Sequence, residues 1–255
     1  HIHWKGNKVC INEELFECTK NKIIGIQRQR QGIGTLSEKT IHAVLKNYYA
    51  PDTDTHEIPI ENYVADIYTG QEIIEIQTRA FNKMRKKLDA FLPLYPVTIV
   101  YPIPHIKWLS WIDEETGETS PKRKSPKTGN AYQAFPELYK IRPYLSDPNL
   151  HLKIALIDME EYRLLNGWSR DKKKGSERYD RIPVKFEKEV CIDRKEDYMQ
   201  FVPYDLPEPF TAKDFAKAAK IQVRLAQTIL LLLTDLQIVI RVGKQGNSYL
   251  YEVNE

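Results

Sequence analysis

The sequence has little cysteine, little net charge and no long hydrophobic run, and each shortage excludes a class of protein. Three cysteines in 255 residues are too few for a disulfide-stapled fold, and Cys10 and Cys18 lack the spacing of zinc ligands. A formal charge of +3 means that any nucleic-acid binding must come from local basic patches. The most apolar run, residues 229–233, is far shorter than a membrane span. We therefore expect a globular cytoplasmic protein without a membrane partner.

What the sequence does contain is a pair of carboxylates in an apolar hairpin. Residues 63–78 carry apolar side chains on both sides of a Thr-Gly turn, a pattern typical of a β-hairpin. Because side chains alternate between faces, Glu75 and Gln77 share one face, and a turn with an even number of residues puts Asp66 there too. Carboxylates excluded from water repel each other unless a cation lies between them. The hairpin therefore predicts a divalent-metal site.

The alternative interpretation makes Asp66 and Glu75 exposed charges on an amphipathic hairpin. The neighbours Val64 and Ile67, together with the isoleucines around Glu75, make both faces of the hairpin largely apolar. A hairpin buried on both sides should not carry carboxylates without partners, so this pattern favours the metal site.

The flanking segments predict helices and a further strand. Residues 36–49 have apolar side chains at helical spacing, residues 81–91 form a basic helix bounded by prolines, and residues 97–101 read as a buried strand. The predicted order is therefore helix, strand, strand, helix, strand. Elsewhere the patterns predict no clear period in 1–32, a sheet extension at 108–111, a loop at 113–130, a strand at 153–157 followed by a helical turn, and a second basic loop at 167–181.

The C-terminal segment predicts two helices and a hairpin. After a linker at 201–209, Thr211 and Asp214 form a capping motif, a second helix spans 223–236, and strands at 238–242 and 248–251 flank a turn. Helix, helix and hairpin in this order are typical of a winged helix-turn-helix domain at 210–255. Because the second helix is mostly apolar, a protein-contact or dimerisation module remains an alternative.

With Asp66 followed by Glu75-Ile76-Gln77, the element order resembles the PD-(D/E)xK nuclease superfamily over residues 33–110, and the domain could extend over 1–200. The resemblance implies an α/β fold, the restriction-endonuclease-like mixed central sheet flanked by helices, here followed by the small winged helix domain. In that family the Asp and the Glu bind Mg²⁺, and the third position is usually Lys. Here that position is Gln77, and Ala65 replaces the proline.

The resemblance implies a Mg²⁺-dependent endonuclease, with Mn²⁺ as a substitute metal. Asp66, Glu75 and the backbone carbonyl of Ile76 would hold the metal through oxygen ligands, and Gln77 would orient the attacking water. Glu38 would add a further acidic ligand from the first helix, although it also fits a capping box with Thr35. Since Gln is neither basic nor cationic, a lysine of helix 81–91 would supply the positive charge.

Basic side chains in three places are candidate phosphate contacts, although each also fits a solvated surface charge. They are Lys83 and Lys87, then Arg170, Lys172 and Lys173, and finally Lys217, Arg224 and Lys244. The expected partner is DNA, with RNA and a homodimer or larger assembly left open. The six histidines show no paired metal spacing and are expected to be structural. The rival hypothesis is a non-catalytic DNA-binding regulator or assembly subunit with a decayed nuclease core, which Gln77 favours.

Overall fold

A mixed β-sheet with helices on both sides organises the chain, in a computed structural model that describes residues 11–31, 40–165 and 177–254. The helices are α1 (Glu13–Gln31), α2 (Thr40–Tyr49), α3 (Arg85–Phe91), α4 (Phe135–Leu138), α5 (Ala212–Ala218) and α6 (Val223–Asp235). The strands are β1 (His56–Ile60), β2 (Tyr63–Tyr68), β3 (Ile73–Ile76), β4 (Val97–Ile112), β5 (Arg123–Lys124), β6 (Leu150–Leu164), β7 (Glu177–Ile192), β8 (Val239–Gln245) and β9 (Ser248–Val253).

The main sheet has the strand order β1-β2-β3-β4-β6-β7, with β5 paired to β4. Strands β1, β2 and β3 form an antiparallel meander, β4 pairs in parallel with β3 and with β6, and β7 returns antiparallel to β6. The prediction of an α/β protein with a mixed central sheet flanked by helices is therefore confirmed.

Two apolar clusters cover the sheet. In the first cluster, Phe81 and Phe91 pack with strand residues such as Ile73. In the second cluster, Phe16 of α1 and Val44 of α2 pack over other residues of the same strands. All four residues of β3 are buried as a result, its three isoleucines and also Glu75. A polar side chain on β3 must therefore find its partners inside the protein.

The predicted β2–β3 hairpin is confirmed, and its register fixes the relation of the two acids. Ile67 lies opposite Ile74 and Tyr68 opposite Ile73, so an even four-residue loop connects the strands. Gly70 in this loop has a φ of +88°, a conformation that glycine adopts without strain. Continuing the same register places Asp66 opposite Glu75.

Several elements differ from the prediction. Residues 13–31, where no period was expected, form α1, and the proline-containing strand β1 was not expected at all. The predicted helix at 36–49 is described from Thr40 onward as α2. Among residues 13–25 of α1, the part whose burial is described, only Phe16 and Thr19 are buried, and charged residues occur along the helix, so its helical period is weak in the sequence.

The predictions for the long strands were also partly wrong. β6 runs to Leu164 without a helical turn, and residues 177–181 of the second predicted loop lie in β7, while 166–176 lie outside the described residues. The loop at 113–130 contains β5, although the expected extension of the sheet through Trp108 is confirmed. These polar segments become strands because β4, β6 and β7 pair with one another over most of their length, a long-range effect that local composition does not show.

The C-terminal helices and hairpin have the predicted bounds within a few residues. The capping motif is confirmed, since Thr211 Oγ1 accepts from the Asp214 amide at 3.3 Å and Asp214 Oδ2 accepts from the Thr211 amide at 2.8 Å. Phe215 of α5 contacts Tyr132 with ring centroids 6.3 Å apart, and Arg142 donates to Asp235 at 2.8 Å. The apolar core thus continues from the sheet into α5 and α6.

Within the described part of the chain, the helices are too short or too polar for any of them to cross a bilayer.

Candidate functional site

The two predicted acids meet across the β2–β3 hairpin. Glu75 Oε1 accepts a hydrogen bond from the Asp66 amide at 3.2 Å, and Asp66 Oδ2 accepts one from the Ile76 amide at 2.8 Å. The side chain of Glu75 is 4% exposed and that of Asp66 is 17% exposed. The two carboxylates are thus adjacent and largely withdrawn from water, as the alternation of side chains predicts.

Two helices each bring one basic side chain to this acid pair. Lys87 of α3 donates from Nζ to Glu75 Oε2 at 2.6 Å, and His42 Nε2 of α2 lies 3.1 Å from Asp66 Oδ2. Since α2 and α3 contribute to different apolar clusters, the acid pair is held from two sides. We call Asp66, Glu75, His42 and Lys87 the hairpin site.

The electrostatics of the two acids differ. Burial, together with the adjacent Asp66 charge, raises the pKa of Glu75 to about 7, although Lys87 acts to lower it. Burial also acts to raise the pKa of Asp66, but the hydrogen bond and charge of His42 and the Ile76 amide outweigh it and leave that pKa below its ordinary value. The pair therefore holds one firmly ionised carboxylate beside one that loses its proton only near neutrality, and additional positive charge would stabilise both as anions.

Gln77 lies just past the end of β3 and does not bond the acid pair. Its backbone amide donates to the Val100 carbonyl at 2.9 Å, and its side-chain amide donates to the Arg79 carbonyl. Lys87 therefore lies where the cationic group of the site was expected, and the Ile76 peptide lies between Glu75 and Gln77. The first-helix acid Glu38 lies outside the described residues.

The oxygen donors of the hairpin site fit a hard divalent cation. Asp66 and Glu75 offer adjacent carboxylates of low exposure, which is the donor type that Mg²⁺ prefers. Across the ranges that the structure describes, the one group of three metal-ligating side chains whose ligand atoms all lie within 4.8 Å is another, formed by His105, Asp158 and Glu187. The hairpin site thus supplies two close acidic ligands rather than a complete cage.

Of the five candidate phosphate contacts that the structure describes, four are exposed, whereas Lys87 is partly buried in the hairpin site and paired with Glu75. Lys83 is exposed in the helical turn before α3, and Lys217, Arg224 and Lys244 are exposed on α5, α6 and β8. Lys244 Nζ lies 4.8 Å from the ring centroid of Tyr249. The three remaining candidates, Arg170, Lys172 and Lys173, lie outside the described residues.

His42 is the functional candidate that sequence reasoning missed. It lies 24 positions before Asp66, next to the buried residue Ile41, and pairs with no other histidine by spacing. Only the packing of α2 against the sheet brings it to the carboxylate. Lys87 was among the lysines proposed to supply charge, and its intermediate burial distinguishes it from the exposed Lys83 and Lys86.

Comparisons with known proteins give a family but no activity. The family described as "Domain of unknown function (DUF8091)" matches residues 39–193. An uncharacterized protein from Treponema pallidum (strain Nichols) is 27% identical over 192 residues, which cover 72% of this chain and 74% of that protein. No solved structure matches the chain. The family match includes every residue of the hairpin site and ends before α5, α6 and the β8–β9 hairpin.

Proposed function

The chain belongs to the family described as domain of unknown function DUF8091, and from its hairpin site we propose a metal-dependent nuclease that hydrolyses phosphodiester bonds in DNA. In this proposal the central sheet is a restriction-endonuclease-like core of the PD-(D/E)xK type. The observation that carries the proposal is the convergence of Asp66, Glu75 and Lys87, with Lys87 Nζ 2.6 Å from Glu75. Lys87 supplies from α3 the positive charge that Gln77 lacks.

The metal ligands would be the carboxylates of Asp66 and Glu75 with the backbone carbonyl of Ile76. A divalent cation held by these ligands would supply Lewis-acid chemistry to the phosphate and would lower the pKa of water at the site. His42 positions Asp66, because its Nε2 lies 3.1 Å from the same oxygen that accepts the Ile76 amide. Asp66 is thereby kept ionised and fixed in orientation.

The remaining side chains of the site would act on the phosphate and the water. The Lys87 ammonium lies beside the acids, where it can stabilise negative charge that develops on a phosphate. Gln77 can orient water through its amide but cannot take a proton from it, so its role is positioning. Glu75, whose pKa is raised to about 7 by burial and the Asp66 charge, would be held ionised when its carboxylate binds the metal.

The C-terminal helices and hairpin would recruit the nucleic acid as a winged helix domain. The order α5, α6, β8, β9 supports this role, as do the exposed cations Lys217, Arg224 and Lys244. On β8, Arg241 stacks over Tyr249 at 4.3 Å, which gives the hairpin a flat cationic surface suited to a sugar-phosphate backbone.

Cleavage assays with matched variants test the proposal. Purified protein with Mg²⁺ or Mn²⁺ is incubated with labelled single- and double-stranded DNA and RNA. We expect DNA cleavage that falls at least about 100-fold in Asp66→Asn and Glu75→Gln, since both remove groups of the reacting site. Glu72→Gln, in the loop of the same hairpin but outside the site, is the control and should retain activity. Absence of cleavage with either metal, or full activity in Asp66→Asn, would contradict the proposal.

The non-catalytic DNA-binding protein is the second candidate, and one observation favours it. Both carboxylates already have a basic partner within the chain, Lys87 for Glu75 and His42 for Asp66. In this reading the four side chains form an internal ion network that has a structural role. A protein of this kind would bind DNA with a steep salt dependence, no gain from Mg²⁺ and no loss in Glu75→Gln, whereas a nuclease would depend on both.

A further inference from the structure

A second group of metal-ligating side chains lies further along the sheet than the hairpin site. His105 of β4, Asp158 of β6 and Glu187 of β7 have ligand atoms within 4.8 Å of one another. Ile76 of β3 pairs with Val100 of β4, which in turn pairs with Lys153 of β6. Asp158 lies five positions further along β6 than Lys153. At about 3.3 Å per residue this separates the two groups by roughly 16 Å along the strand.

Irregular strand pairing brings these three residues together. Between Pro104 and Lys107, the two residues His105 and Ile106 of β4 oppose the single residue Asp158 of β6. On the other side of β6, Glu187 is the extra residue of β7, between the partners of Leu156 and Ile157. Bulges re-aim side chains out of the regular alternation, and here two of them converge on Asp158 from both neighbouring strands.

Asp158 is the buried centre of the group. It is 7% exposed, and its Oδ1 accepts from His105 Nδ1 and from the Ile106 amide, both at 2.9 Å. In the described part of the chain, Oδ2 has no hydrogen-bond donor. The second oxygen of this largely buried carboxylate is therefore open to a further ligand, and a cation bound there would be stabilising.

A backbone contact with Gly129 holds the bulge that carries His105. The Gly129 amide donates to the His105 carbonyl at 2.8 Å. A Cβ at Gly129 would lie 1.9 Å from the Pro104 carbonyl oxygen, so only glycine permits this close approach of the two backbones. The histidine backbone is therefore held in place before any ligand arrives.

We propose that His105, Asp158 and Glu187 bind a borderline divalent transition metal such as Zn²⁺, at a site separate from the hairpin site. One imidazole and two carboxylates suit Zn²⁺ better than Mg²⁺, which prefers an all-oxygen shell. Three protein ligands leave a fourth position for water, as in zinc sites that do chemistry rather than closed structural ones. The metal would also join β4, β6 and β7 at their bulges.

Lys185 is a cation that faces this group. Its Nζ lies 2.7 Å from Glu187 Oε2, and its charge also acts on Asp158. The Lys185 side chain is 56% exposed, so it can swing into solvent when a metal takes its place. Because it competes for Glu187, Lys185→Ala is expected to tighten Zn²⁺ binding severalfold.

Metal titration of the full chain tests the site without any reference to nuclease activity. Chelator-treated protein is titrated with ZnCl₂ and, separately, MgCl₂ by calorimetry, in the wild type and in an Asp66→Asn/Glu75→Gln variant that lacks the hairpin acids. We expect that variant to keep one Zn²⁺ site and to lose Mg²⁺ binding. Adding His105→Gln should weaken Zn²⁺ binding by at least about 100-fold, since even outer-shell changes cost about 10- to 100-fold.

His151→Gln is the matched control, because His151 is 25% exposed and His105 is 24% exposed. It should leave Zn²⁺ binding unchanged. Circular dichroism and metal-free melting should show that His105→Gln is folded, since Gln can still donate to Asp158. Zn²⁺ binding that survives His105→Gln, or that is lost in Asp66→Asn/Glu75→Gln, would overturn the second site while leaving the nuclease proposal to its own assay.

Discussion

Two buried glutamates in one sheet have opposite electrostatic surroundings. Glu75 on β3 is 3% exposed, has the Asp66 carboxylate beside it and has the Lys87 ammonium as its ion pair. Glu161 on β6 is 0% exposed, and four cationic side chains surround its carboxylate. They are Arg163 at 2.7 Å, Arg181 at 3.1 Å, Lys107 at 3.4 Å and Arg178 at 3.7 Å.

The difference shows that burial alone does not set the charge state of an acid. Burial acts to raise the pKa of both residues, and at Glu75 it prevails with the help of Asp66, giving about 7. At Glu161 the four cations outweigh burial and lower the pKa to about 2. Glu161 is thus satisfied within the fold and has a structural role, whereas the Asp66–Glu75 pair would gain from a further cation. A buried acid short of positive charge is the better candidate for function.

The largest expected effect is the loss of the Glu161 charge. Glu161→Gln leaves the surrounding cations without their shared carboxylate, and breaking a buried ion cluster costs about 3–5 kcal/mol of unfolding free energy. Urea unfolding at pH 7 measures it. Glu160→Gln, one residue away in a partly exposed ion pair with Lys122, should cost under about 1 kcal/mol. Equal losses in the two variants would show that Glu161 is no more than a surface charge.

The stabilisation from Glu161 should also disappear in acid. Its folded pKa of about 2 lies below the ordinary 4.5, so its contribution is complete above pH 4.5 and is lost as the pH falls towards 2. At about 1.4 kcal/mol per pKa unit this amounts to about 3 kcal/mol. The difference in unfolding free energy between the wild type and Glu161→Gln, measured at intervals from pH 6 to pH 2.5, should shrink accordingly. A difference independent of pH would contradict the ion cluster.

The contribution of Glu75 to stability should change with pH in the opposite direction. Its folded pKa of about 7 lies above the ordinary 4.5, so its contribution to stability is complete below pH 4.5 and is lost as the pH rises through 7. In chelator, Glu75→Gln should therefore match the wild type at pH 4 and exceed its unfolding free energy by up to about 3 kcal/mol at pH 8. Thermal melting across this range measures the crossover. A Glu75→Gln variant that is less stable than the wild type at pH 8 would show that the ionised Glu75, like Glu161, stabilises the fold.

The sequence predicts the surroundings of Glu75 better than those of Glu161. The Asp66–Glu75 pair follows from period-two alternation across one short turn. The next helix in the chain predicts a lysine at the site, although the sequence does not single out Lys87 among its lysines. His42 does not follow, because its contact with Asp66 depends on how α2 packs against the sheet, 24 positions away. Sequence periodicity predicts which side chains share a hairpin face or a helix face, but it does not predict contacts between elements that are distant in the chain.

The Glu161 cluster could not be predicted in this way. Arg178 and Arg181 lie in a segment expected to be a loop, and only the pairing of β7 with β6 places them beside Glu161. The same holds for His105, Asp158 and Glu187, which need bulges in two strand pairs to meet. The mixed sheet with flanking helices was predictable from element order, whereas strand length and irregularity depended on long-range pairing. The nuclease assignment, the winged helix and the domain boundaries stay predictions.

The smallest expected effect isolates the single cation of Glu75. Lys87→Met removes the ammonium 2.6 Å from Glu75 but keeps an apolar stem against Phe91. The pKa of Glu75 should rise further, and the unfolding free energy at pH 8 in chelator should fall by about 1.5 kcal/mol, the lower end for a hydrogen bond between charged groups. Lys86→Met, on the exposed side of α3, should change it by less than about 0.5 kcal/mol. Because Glu75 is protonated below pH 4.5, the difference between the two variants should narrow there. If Lys87→Met and Lys86→Met lower the unfolding free energy equally at pH 8, the Lys87 ammonium does not stabilise the ionised Glu75. Glu75 would then differ from Glu161 only through burial and the adjacent Asp66 charge.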